Sequence, residues 1–439
     1  MKMTREERNW VLYDVGNSAF VLLVSTIMPL YFNHLAGSAG LSDSDYLAYW
    51  GYAASIATII VAVMGPVVGT MADMKGFKKI LFTMSMLVGA AGCISLGFAK
   101  QWLVFLGIFI IAKSGFASSL IFYDAMLTDV TDDERMDEVS SQGYAWGYIG
   151  SCIPFIACLA PVLGSDKIGL SMENAMAVSF TIVAVWWIVM TLPLLKMYRQ
   201  RHYVERKPHA VKDSFTRIGR TLVNARKEKK IFLFLIAFFF YIDGVYTIID
   251  MATAYGSALG LDSTGLLLAL LVTQLVAFPS AIIFGKLAKR FNTEKLILVC
   301  ISAYLFIAIF AIFLATQLQF WILAVLVGMF QGGVQALSRS YFAKIIPAEQ
   351  AGEYFGLMDI CGKGAAFLGT TVVGVVTQIT GSMSKGVGMI SVFFVVGIVF
   401  FNMAMKADSA CRVHAEKKIH NGELVEDMGG SYKYPIDIV

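Results

Sequence analysis

Charged residues stand inside long apolar stretches of this chain, where they could bind an ion or a polar solute. In IAFFFYIDGVYTIID, residues 236–250, seven apolar residues run into Asp243, and Asp250 follows seven residues later. The residues of this kind are Asp14, Lys113, Asp124, Asp243, Asp250, Arg339, Asp359 and Lys363. A charge at the centre of a bilayer costs about 2.5–3.5 kcal/mol on the insertion scale. We therefore expect these side chains to face a polar cavity, where they could bind a solute.

The composition indicates a membrane protein. Hydrophobic residues make up 57% of the 439 residues, charged residues make up only 15%, and the mean hydropathy is +0.69. Soluble domains usually carry about a quarter charged residues. The net charge of +4 is small and no basic face is evident, so we expect no nucleic-acid partner.

Twelve segments are long enough to cross a bilayer, which takes roughly 20 mostly apolar residues. They lie at about 10–33, 47–72, 79–99, 102–127, 141–163, 175–195, 231–254, 264–288, 295–316, 319–344, 354–380 and 386–406. The sequence thus predicts an all-α multi-pass membrane protein with twelve transmembrane helices. Twenty-nine of its 35 Lys and Arg residues would lie on the side of both termini, and three on the other side. Because basic loops stay cytoplasmic, both termini are predicted to be cytoplasmic.

A basic segment at 196–230 divides the spans into six and six. GTMADMKGFKK (69–79) matches GKLAKRFNTEK (285–295), and FYDAML (122–127) matches SYFAKI (340–345) at nearly the same offset. Internal repeats of this kind are expected of many secondary transporters. The predicted domains are a six-helix bundle at 1–195, a cytoplasmic linker at 196–230, a second six-helix bundle at 231–406 and a cytoplasmic tail at 407–439.

The linker and the tail carry different patterns. In the linker, Phe215, Ile218, Leu222 and Val223 follow a helical spacing among basic residues. This pattern indicates an amphipathic helix on the cytoplasmic membrane surface. The tail ends in NGELVEDMGGSYKYPIDIV, which has no apolar periodicity, and we expect it to be flexible or lightly docked.

The loop between spans 2 and 3 resembles the cytoplasmic loop signature of the major facilitator superfamily of transporters. The matching residues are Gly69, Asp73, Gly76 and Lys78. The glycines permit a tight turn, Asp73 can cap a neighbouring helix N-terminus, and the lysines would lie at the cytoplasmic surface. The loop departs from the signature at Met74 and Phe77, where that family usually has basic residues.

Further stretches are similar to one branch of that superfamily, which contains the fungal autophagy-related vacuolar amino-acid effluxers and bacterial relatives. They are NWVLYDVGNSAF (9–20), FYIDGV (240–245) and LSRSYFAKIIPAEQAGEYFGLMDICGKGAAFLG (337–369). The resemblance covers essentially the whole chain. It implies alternating access around a central cavity lined by spans 1, 4, 7 and 10, with help from spans 2, 5, 8 and 11. Spans 3, 6, 9 and 12 would face lipid, and they carry none of the charges named above.

Depth in the membrane and helical spacing select the candidate site residues. At a rise of 1.5 Å per residue, Lys113, Asp243 and Lys363 come nearest to the midplane. The predicted substrate-binding or ion-binding residues are Asp243, Lys113, Lys363, Asp14, Asn17, Tyr246, Gln331 and Gln335. The predicted gating residues are Asp73, Gly69, Gly76, Lys78, Asp124, Arg135, Arg339 and Asp359.

Several of these residues have structural alternatives. Asp359 and Lys363 are four residues apart and could pair along their own helix. Arg339 could snorkel to the surface or latch two helices together. Lys113 and Asp243 could simply neutralise each other when the cavity is empty.

Together these residues predict a secondary active transporter for a small polar solute. Desolvation disfavours the charged form of a carboxylate, so Asp243 is predicted to carry the coupling proton, with Lys113 across the cavity tuning its proton affinity. We favour a proton over sodium as the coupling ion. Lys113 and Lys363 would bind a substrate carboxylate or phosphate while Asp243 would bind an ammonium group. An amino acid or a small peptide would satisfy both signs, and the resemblance suggests efflux.

Other functions stay open at this point. Asp14 is similar to the early-helix Asp of some facilitator relatives that are sugar symporters, so a sugar or sugar conjugate is an alternative cargo. A lipid flippase of the same fold would need a lateral apolar slot. The segment TDDERMDE (131–138) resembles the acidic loops of membrane prenyltransferases, but a second such motif is missing.

We interpret TDDERMDE as a solvated gate that pairs with basic residues of the cytoplasmic face. We expect no enzyme activity, no cofactor and no metal. The partners would be the small-molecule substrate, the coupling ion and membrane lipids. We expect a monomer in the cell membrane.

Overall fold

The computed structural model describes residues 2–163, 169–205 and 228–420, with side chains at most of these positions. The amphipathic helix predicted in the linker and the last nineteen residues of the tail lie outside the described residues. Within those ranges, twelve helical segments are long and apolar enough to cross a membrane. The predicted number of spans is therefore confirmed.

The spans are single helices except where stated. Span 1 is Arg5–Ser25 and Ile27–Ser38, span 2 Asp43–Ala72, span 3 Phe77–Leu96, span 4 Trp102–Ala125 and Leu127–Val130, span 5 Asp133–Leu163, and span 6 Met172–Met197. Span 7 is Lys229–Ala258, span 8 Ser263–Leu287, span 9 Thr293–Ile312, span 10 Gln317–Ile345, span 11 Ala351–Thr380, and span 12 Ile390–His420. Short helices at Ala348–Gln350 and Met383–Gly388 precede the last two spans.

Several span boundaries differ from the sequence prediction by a few residues, and three features differ more clearly. Span 1 breaks at Thr26, because Pro29 lacks the N–H that would bond to the carbonyl of Ser25. Span 5 begins at Asp133 instead of residue 141, since acidic residues in a first turn stabilise a helix N-terminus. The last helix runs to His420 instead of residue 406.

The two halves pack against each other through spans 2 and 11 and through spans 5 and 8. Glycines allow the backbones of spans 2 and 11 to come close. A Cβ built on Gly352 would lie 2.5 Å from the carbonyl oxygen of Gly69, and one on Gly356 would lie 2.9 Å from that of Gly65. Side chains larger than hydrogen at these positions would push the two halves apart.

The outer spans carry large hydrophobic side chains on their exposed faces. Examples are Met84 and Leu87 in span 3, Val185 and Val189 in span 6, Phe306 and Ile309 in span 9, and Val395 and Val399 in span 12. Such faces suit lipid, since no hydrophobic driving force removes them from acyl chains. This agrees with the absence of charged residues from the membrane portions of these spans.

Candidate functional site

Most of the predicted gating residues meet at one end of the bundle. This end holds the loop at 73–76 and the start of span 1, and we call it the basic face. The other end is called the opposite face.

Arg339 of span 10 joins the second half to three spans of the first half. Its guanidinium donates to the Oδ1 atom of Asp124 at 3.1 Å and to the Oδ2 atom of Asp14 at 3.5 Å. It also donates to the hydroxyl of Ser140 and to the carbonyl oxygen of Ser140, both at 2.9 Å. Arg339 is only 4% exposed. We call Arg339, Asp14, Asp124 and Ser140 the arginine latch.

Aromatic rings enclose the guanidinium. Its central carbon lies 4.7 Å from the ring centroid of Trp10, 5.4 Å from that of Tyr123 and 4.3 Å from that of Tyr144. The rings of Trp10 and Tyr123 are stacked at 4.3 Å. Cation–π contacts become stronger when the cation is desolvated. Arg339 therefore latches the halves together, and the snorkelling alternative is wrong.

Asp73 caps the N-terminus of span 11, as the sequence predicted. Its Oδ1 atom accepts from the backbone N–H of Gly352 at 2.7 Å, and its Oδ2 atom accepts from that of Glu353 at 2.9 Å. Burial raises the pKa of Asp73 to about 7, against the opposing effects of Lys78 and of the two N–H donors. A carboxylate at a helix N-terminus also interacts favourably with the helix dipole. The cap ties the first half to the second at the basic face.

The TDDERMDE segment makes a second set of contacts between the halves. Asp137 binds Lys344 at 2.5 Å and accepts from Ser340 and Thr293 at 2.5 and 2.7 Å. Glu138 binds Lys289 at 2.6 Å. The expected pairing with basic residues is present, but the segment is not a solvated loop. It is mostly the first turns of span 5, and Asp137 is only 6% exposed.

Two predicted gating residues act within the first half. Lys78 is completely buried and pairs with Asp129 at 2.9 Å, so the expectation of a surface lysine is wrong. Asp129 also accepts from the hydroxyl of Tyr198 at 2.5 Å and from the backbone N–H of His202 at 2.8 Å. Lys78 can be buried because the carboxylate of Asp129 compensates its charge.

The other predicted gating residue that acts within the first half, Arg135, also forms an ion pair. Arg135 binds Glu7 through two hydrogen bonds of 2.7 and 2.6 Å. Gly76 has a φ of 81°, a left-handed conformation that favours glycine, and its N–H donates to the side chain of Gln200 at 2.9 Å. The start of the linker is thereby fastened to the first half beside the loop at 73–76.

Asp243 is fully buried inside the second half. Its Oδ1 atom accepts from the backbone N–H of Gly369 at 3.0 Å and from the hydroxyl of Thr247 at 3.3 Å. Its Oδ2 atom has no hydrogen-bond partner among the residues that the structure describes. Among the described residues, Lys113 makes no ion pair within 4.0 Å, with Asp243 or with any other residue, so the alternative in which Lys113 and Asp243 neutralise each other is wrong.

The remaining predicted binding residues lie deeper than the latch. Asp359 and Lys363 pair along span 11 at 2.5 Å, which confirms that structural alternative. Tyr246 and Gln335 are half-buried, and Gln331 is 6% exposed. Asn17 belongs with the latch, because its amide donates to Asp14 at 3.2 Å.

At the opposite face, three polar contacts of the described residues join groups within one half. Tyr31 donates to the carbonyl oxygen of Ala99 at 3.2 Å in the first half. Tyr255 donates to that of Ala311 at 2.9 Å in the second half. Asp262 accepts its cap bond from Gly265 at 2.7 Å. The polar contacts between the halves described above therefore belong to the basic face.

The comparisons with known proteins agree with this architecture. The family described as "Vacuole effluxer Atg22 like" matches residues 43–135 and 127–412. YxiO of Bacillus subtilis strain 168, an uncharacterised MFS-type transporter, is 45% identical over 91% of this chain and 94% of its own length. Autophagy-related protein 22 of Coccidioides immitis strain RS is 24% identical over 58% of this chain. That match spans 46% of the fungal protein.

Solved structures show the same fold. The transporter FucP, in an outward conformation, superposes with a TM-score of 0.67 over 91% of this chain and 97% of its own, at 14% identity. A bacterial homologue of the iron transporter ferroportin, in an outward-facing state, gives a TM-score of 0.66 over 92% of this chain and 98% of its own, at 13% identity. The predicted major facilitator fold is confirmed.

Proposed function

Because this chain belongs to the Atg22-like family of the major facilitator superfamily, it is a multi-pass membrane transporter, and we propose that it moves an amino acid or a small peptide by proton-coupled alternating access. Proteins of this superfamily are transporters and not enzymes, which rejects the prenyltransferase alternative. The fungal relatives belong to a family described by vacuolar efflux, and we propose export from the cytoplasm for this chain.

Loop charge supports the proposed orientation. The loops and termini of the basic face hold most of the Lys and Arg residues, and basic loops stay cytoplasmic. The basic face is then cytoplasmic and the opposite face external. We place the protein as a monomer in the cell membrane.

The observation that carries the proposal is the position of Lys113 and Asp250, which make no ion pair within 4.0 Å among the described residues, in two halves that are latched at the basic face. Lys113 of span 4 and Asp250 of span 7 belong to different halves, and both side chains are accessible to solvent. The latched basic face lies on the cytoplasmic side of them. A solute that reaches these charges from outside could enter the cytoplasm only after the latch opens. In export, the latch would open first and the solute would then leave through the opposite face.

Asp243 is our candidate for the coupling site. A buried charge with no counter-ion is strongly destabilising, and no cation contacts Asp243 among the described residues. We propose that it carries a proton in this conformation. It would release the proton when spans 7 and 11 shift, because Gly369 of span 11 donates to one of its oxygens.

The charges between the halves favour a solute that carries both signs. Lys113 and Asp250 supply one positive and one negative charge, and Lys363 and Asp359 pair with each other along span 11. Asp14, which suggested a sugar symporter, is already bound in the arginine latch. The structure gives sugars no comparable support.

Proton flux in proteoliposomes tests this function. Purified protein would be reconstituted around a pH-sensitive dye, and amino acids, dipeptides, sugars and lipids would be offered in turn. We expect flux with amino acids or dipeptides that is lost in Asp243→Asn. Asp132→Asn is the matched control, because Asp132 is an exposed acid at the basic face, and it should leave the flux unchanged.

Two results would contradict the proposal. Proton flux driven only by sugars or lipids would mean that the cargo is a sugar or a lipid and not an amino acid or peptide. Amino-acid uptake without proton flux, unchanged in Asp243→Asn, would leave Asp243 as a structural partner of Thr247 and Gly369.

A further inference from the structure

The first residues of the linker lie against the loop between spans 2 and 3. Residues 198–204, which we call the strap, follow the last turn of span 6. Val204 of the strap pairs with Met74 of the loop as a parallel β-bridge. Its N–H donates to the carbonyl oxygen of Asp73 at 2.8 Å, and its own carbonyl oxygen accepts from the N–H of Lys75 at 3.3 Å. The strap and the loop are thus joined backbone to backbone.

Gln200 of the strap binds the same loop through its side-chain amide. Its Oε1 atom accepts from the N–H of Gly76 at 2.9 Å. Its Nε2 atom donates to the carbonyl oxygens of Ala72 at 3.1 Å and of Asp73 at 3.4 Å. Ala72 is the last residue of span 2, and the last carbonyls of a helix have no partner inside it. One side chain therefore holds both ends of the loop.

A buried carboxylate of span 4 anchors the strap. Asp129 is 1% exposed and accepts from the hydroxyl of Tyr198 at 2.5 Å. It also accepts from the N–H groups of Arg201 and His202 at 3.0 and 2.8 Å. Hydrogen bonds to a charged acceptor are about twice as strong as neutral ones. These contacts lie within the first half and its linker, so the anchor does not depend on the second half.

The loop that the strap holds carries the cap on the second half. The side chain of Asp73 accepts from the N–H groups of Gly352 and Glu353 at the start of span 11. The backbone of Asp73 is bound by the strap. The conformational freedom that a segment loses when it forms a contact opposes that contact. Because the strap orders the loop in advance, less freedom is lost when the cap forms.

We propose that the strap positions Asp73 for its cap on span 11, with Gln200 as the main positioning residue, so that the linker helps to close the basic face. This inference goes beyond the proposed function, because it depends on the fold and not on the cargo or the coupling ion. The contacts of Gln200 described above all lie within the first half and its linker. Its effect on span 11 therefore passes through Asp73.

A purely structural role for Gln200 has a different consequence. An interaction shifts an equilibrium between two conformations only if it favours one of them over the other. A residue that only stabilises the first half would lower the melting temperature of its variants and leave the two halves as close as before. A residue that positions Asp73 also changes the separation of the halves at the basic face.

Spin labels at positions 132 and 295, exposed positions of the two halves at the basic face, test the inference. In Gln200→Ala the ratio of molecules with a short separation to those with a long one should fall about threefold to tenfold, the effect of losing one or two hydrogen bonds. Arg199→Gln is the matched control, because Arg199 is the neighbouring residue of the linker and is exposed. It should behave as the wild type. A lower melting temperature of Gln200→Ala with an unchanged separation would overturn the inference.

A double-mutant cycle shows whether Gln200 acts through Asp73. Asp73→Ala removes the cap, and Gln200→Ala would be added to it in one chain. We expect little further change in the label separation, because residues that act on one contact have effects that do not add. Fully additive effects would mean that Gln200 acts on the basic face by another route, and the inference would fail.

Val204→Pro covers the case in which Gln200→Ala assembles poorly. Proline has no N–H, so this variant removes the bond to the carbonyl oxygen of Asp73 and keeps the side chain of Gln200. Amide hydrogen exchange would be measured in peptides that contain residues 72–76 and 351–354. We expect faster exchange in both peptides. Faster exchange in the loop alone, with the start of span 11 as protected as in the wild type, would contradict the inference.

These measurements use neither a transported solute nor a proton gradient. Their outcome is therefore independent of the flux experiment that tests the proposed function. A wild-type protein without a short separation between positions 132 and 295 would contradict both the latch at the basic face and the role of the strap.

Discussion

The two ends of this transporter hold their charges in opposite ways. At the basic face, Arg339 is buried among carboxylates and rings from the first half, and Asp73 caps a helix of the second half. On the other side of the latch, Lys113 of the first half is half-buried, Asp250 of the second half is exposed, and neither makes an ion pair within 4.0 Å among the described residues. We propose from this difference that the basic face is the closed gate, because its charges are desolvated and bonded between the halves.

This comparison also indicates what must change during transport. Breaking a buried ion pair by removing one partner costs about 3–5 kcal/mol, because a charge is left uncompensated. Opening the basic face separates Arg339 from Asp14 and Asp124, but it also lets water reach all three. The latch can therefore open at a moderate cost, provided that contacts form at the opposite face in exchange.

The largest expected effect follows from breaking the arginine latch. Arg339→Gln leaves Asp14 and Asp124 without a cation and should open the basic face. We would attach spin labels at positions 132 and 295, exposed positions of the two halves on that face, and measure their separation. The separation should increase, and transport should fall strongly, because about 3–5 kcal/mol of latch energy is lost.

The control for Arg339→Gln is Lys78→Met. It also removes a buried cation beside a carboxylate, but Lys78 and Asp129 belong to the same half. We expect Lys78→Met to lower the melting temperature and to leave the label separation unchanged. If Arg339→Gln and Lys78→Met increased the label separation alike, contacts between the halves would matter no more for closing the basic face than contacts within one half, which would contradict this prediction.

An intermediate effect should come from Asp73 through pH. Its pKa is raised to about 7 by burial in the latched state, against an ordinary value of about 3.9 in water. The latched state thus binds the proton more tightly, and its extra stability is present at low pH and is lost as pH rises through about 7. Lys78 and Glu353, the charged groups that face Asp73, oppose each other in this effect.

The same label pair measures this pH response. The latched fraction should rise as pH falls from 8 to 5, and Asp73→Asn should flatten the response because it cannot titrate. Asp73→Ala should also loosen the latch by about 0.5–2 kcal/mol, the cost of losing a helix cap. A steep response that survives in Asp73→Asn would assign the titration to another group.

The smallest effect is expected for an ion pair at the basic face that is open to solvent. Lys75 lies 3.6 Å from Glu205, and both side chains are exposed. Water already satisfies both charges, so exposed pairs of this kind add little stability. Lys75→Gln should leave the melting temperature and the label separation within error. A clear shift in the melting temperature or the label separation would mean that this exposed pair between the loop and the linker also stabilises the latch.

The parts of the site that depend on local spacing could be predicted from the sequence. The i, i+4 spacing of Asp359 and Lys363 offered their pairing as a structural alternative, and the position of Asp73 in the signature-like loop predicted a helix cap. The twelve spans followed from length and hydropathy. The spans and the Asp359–Lys363 pair need only a helix and its nearest neighbours along the chain, whereas the sequence did not identify span 11 as the helix that Asp73 caps.

The parts that depend on distances between helices could not be predicted in this way. Lys113 and Asp243 have similar depth, which suggested a pair, but depth does not determine which way each helix face points. Lys78 looked like a surface lysine, because its partner Asp129 lies 51 residues away in sequence. The acidic pattern of TDDERMDE did not show that Asp137 would bind three residues of the other half.

One measurement tests the central claim most directly, namely that the halves are latched at the basic face and separated at the opposite face. Spin-label separations would be recorded for wild-type protein at positions 132 and 295, and in a second sample at positions 100 and 318, exposed positions of the two halves at the opposite face. We predict a short, narrow separation at the basic face and a longer one at the opposite face, which shortens when the transported amino acid is added. A long separation at the basic face with a short one at the opposite face, or no response to the solute, would contradict this account.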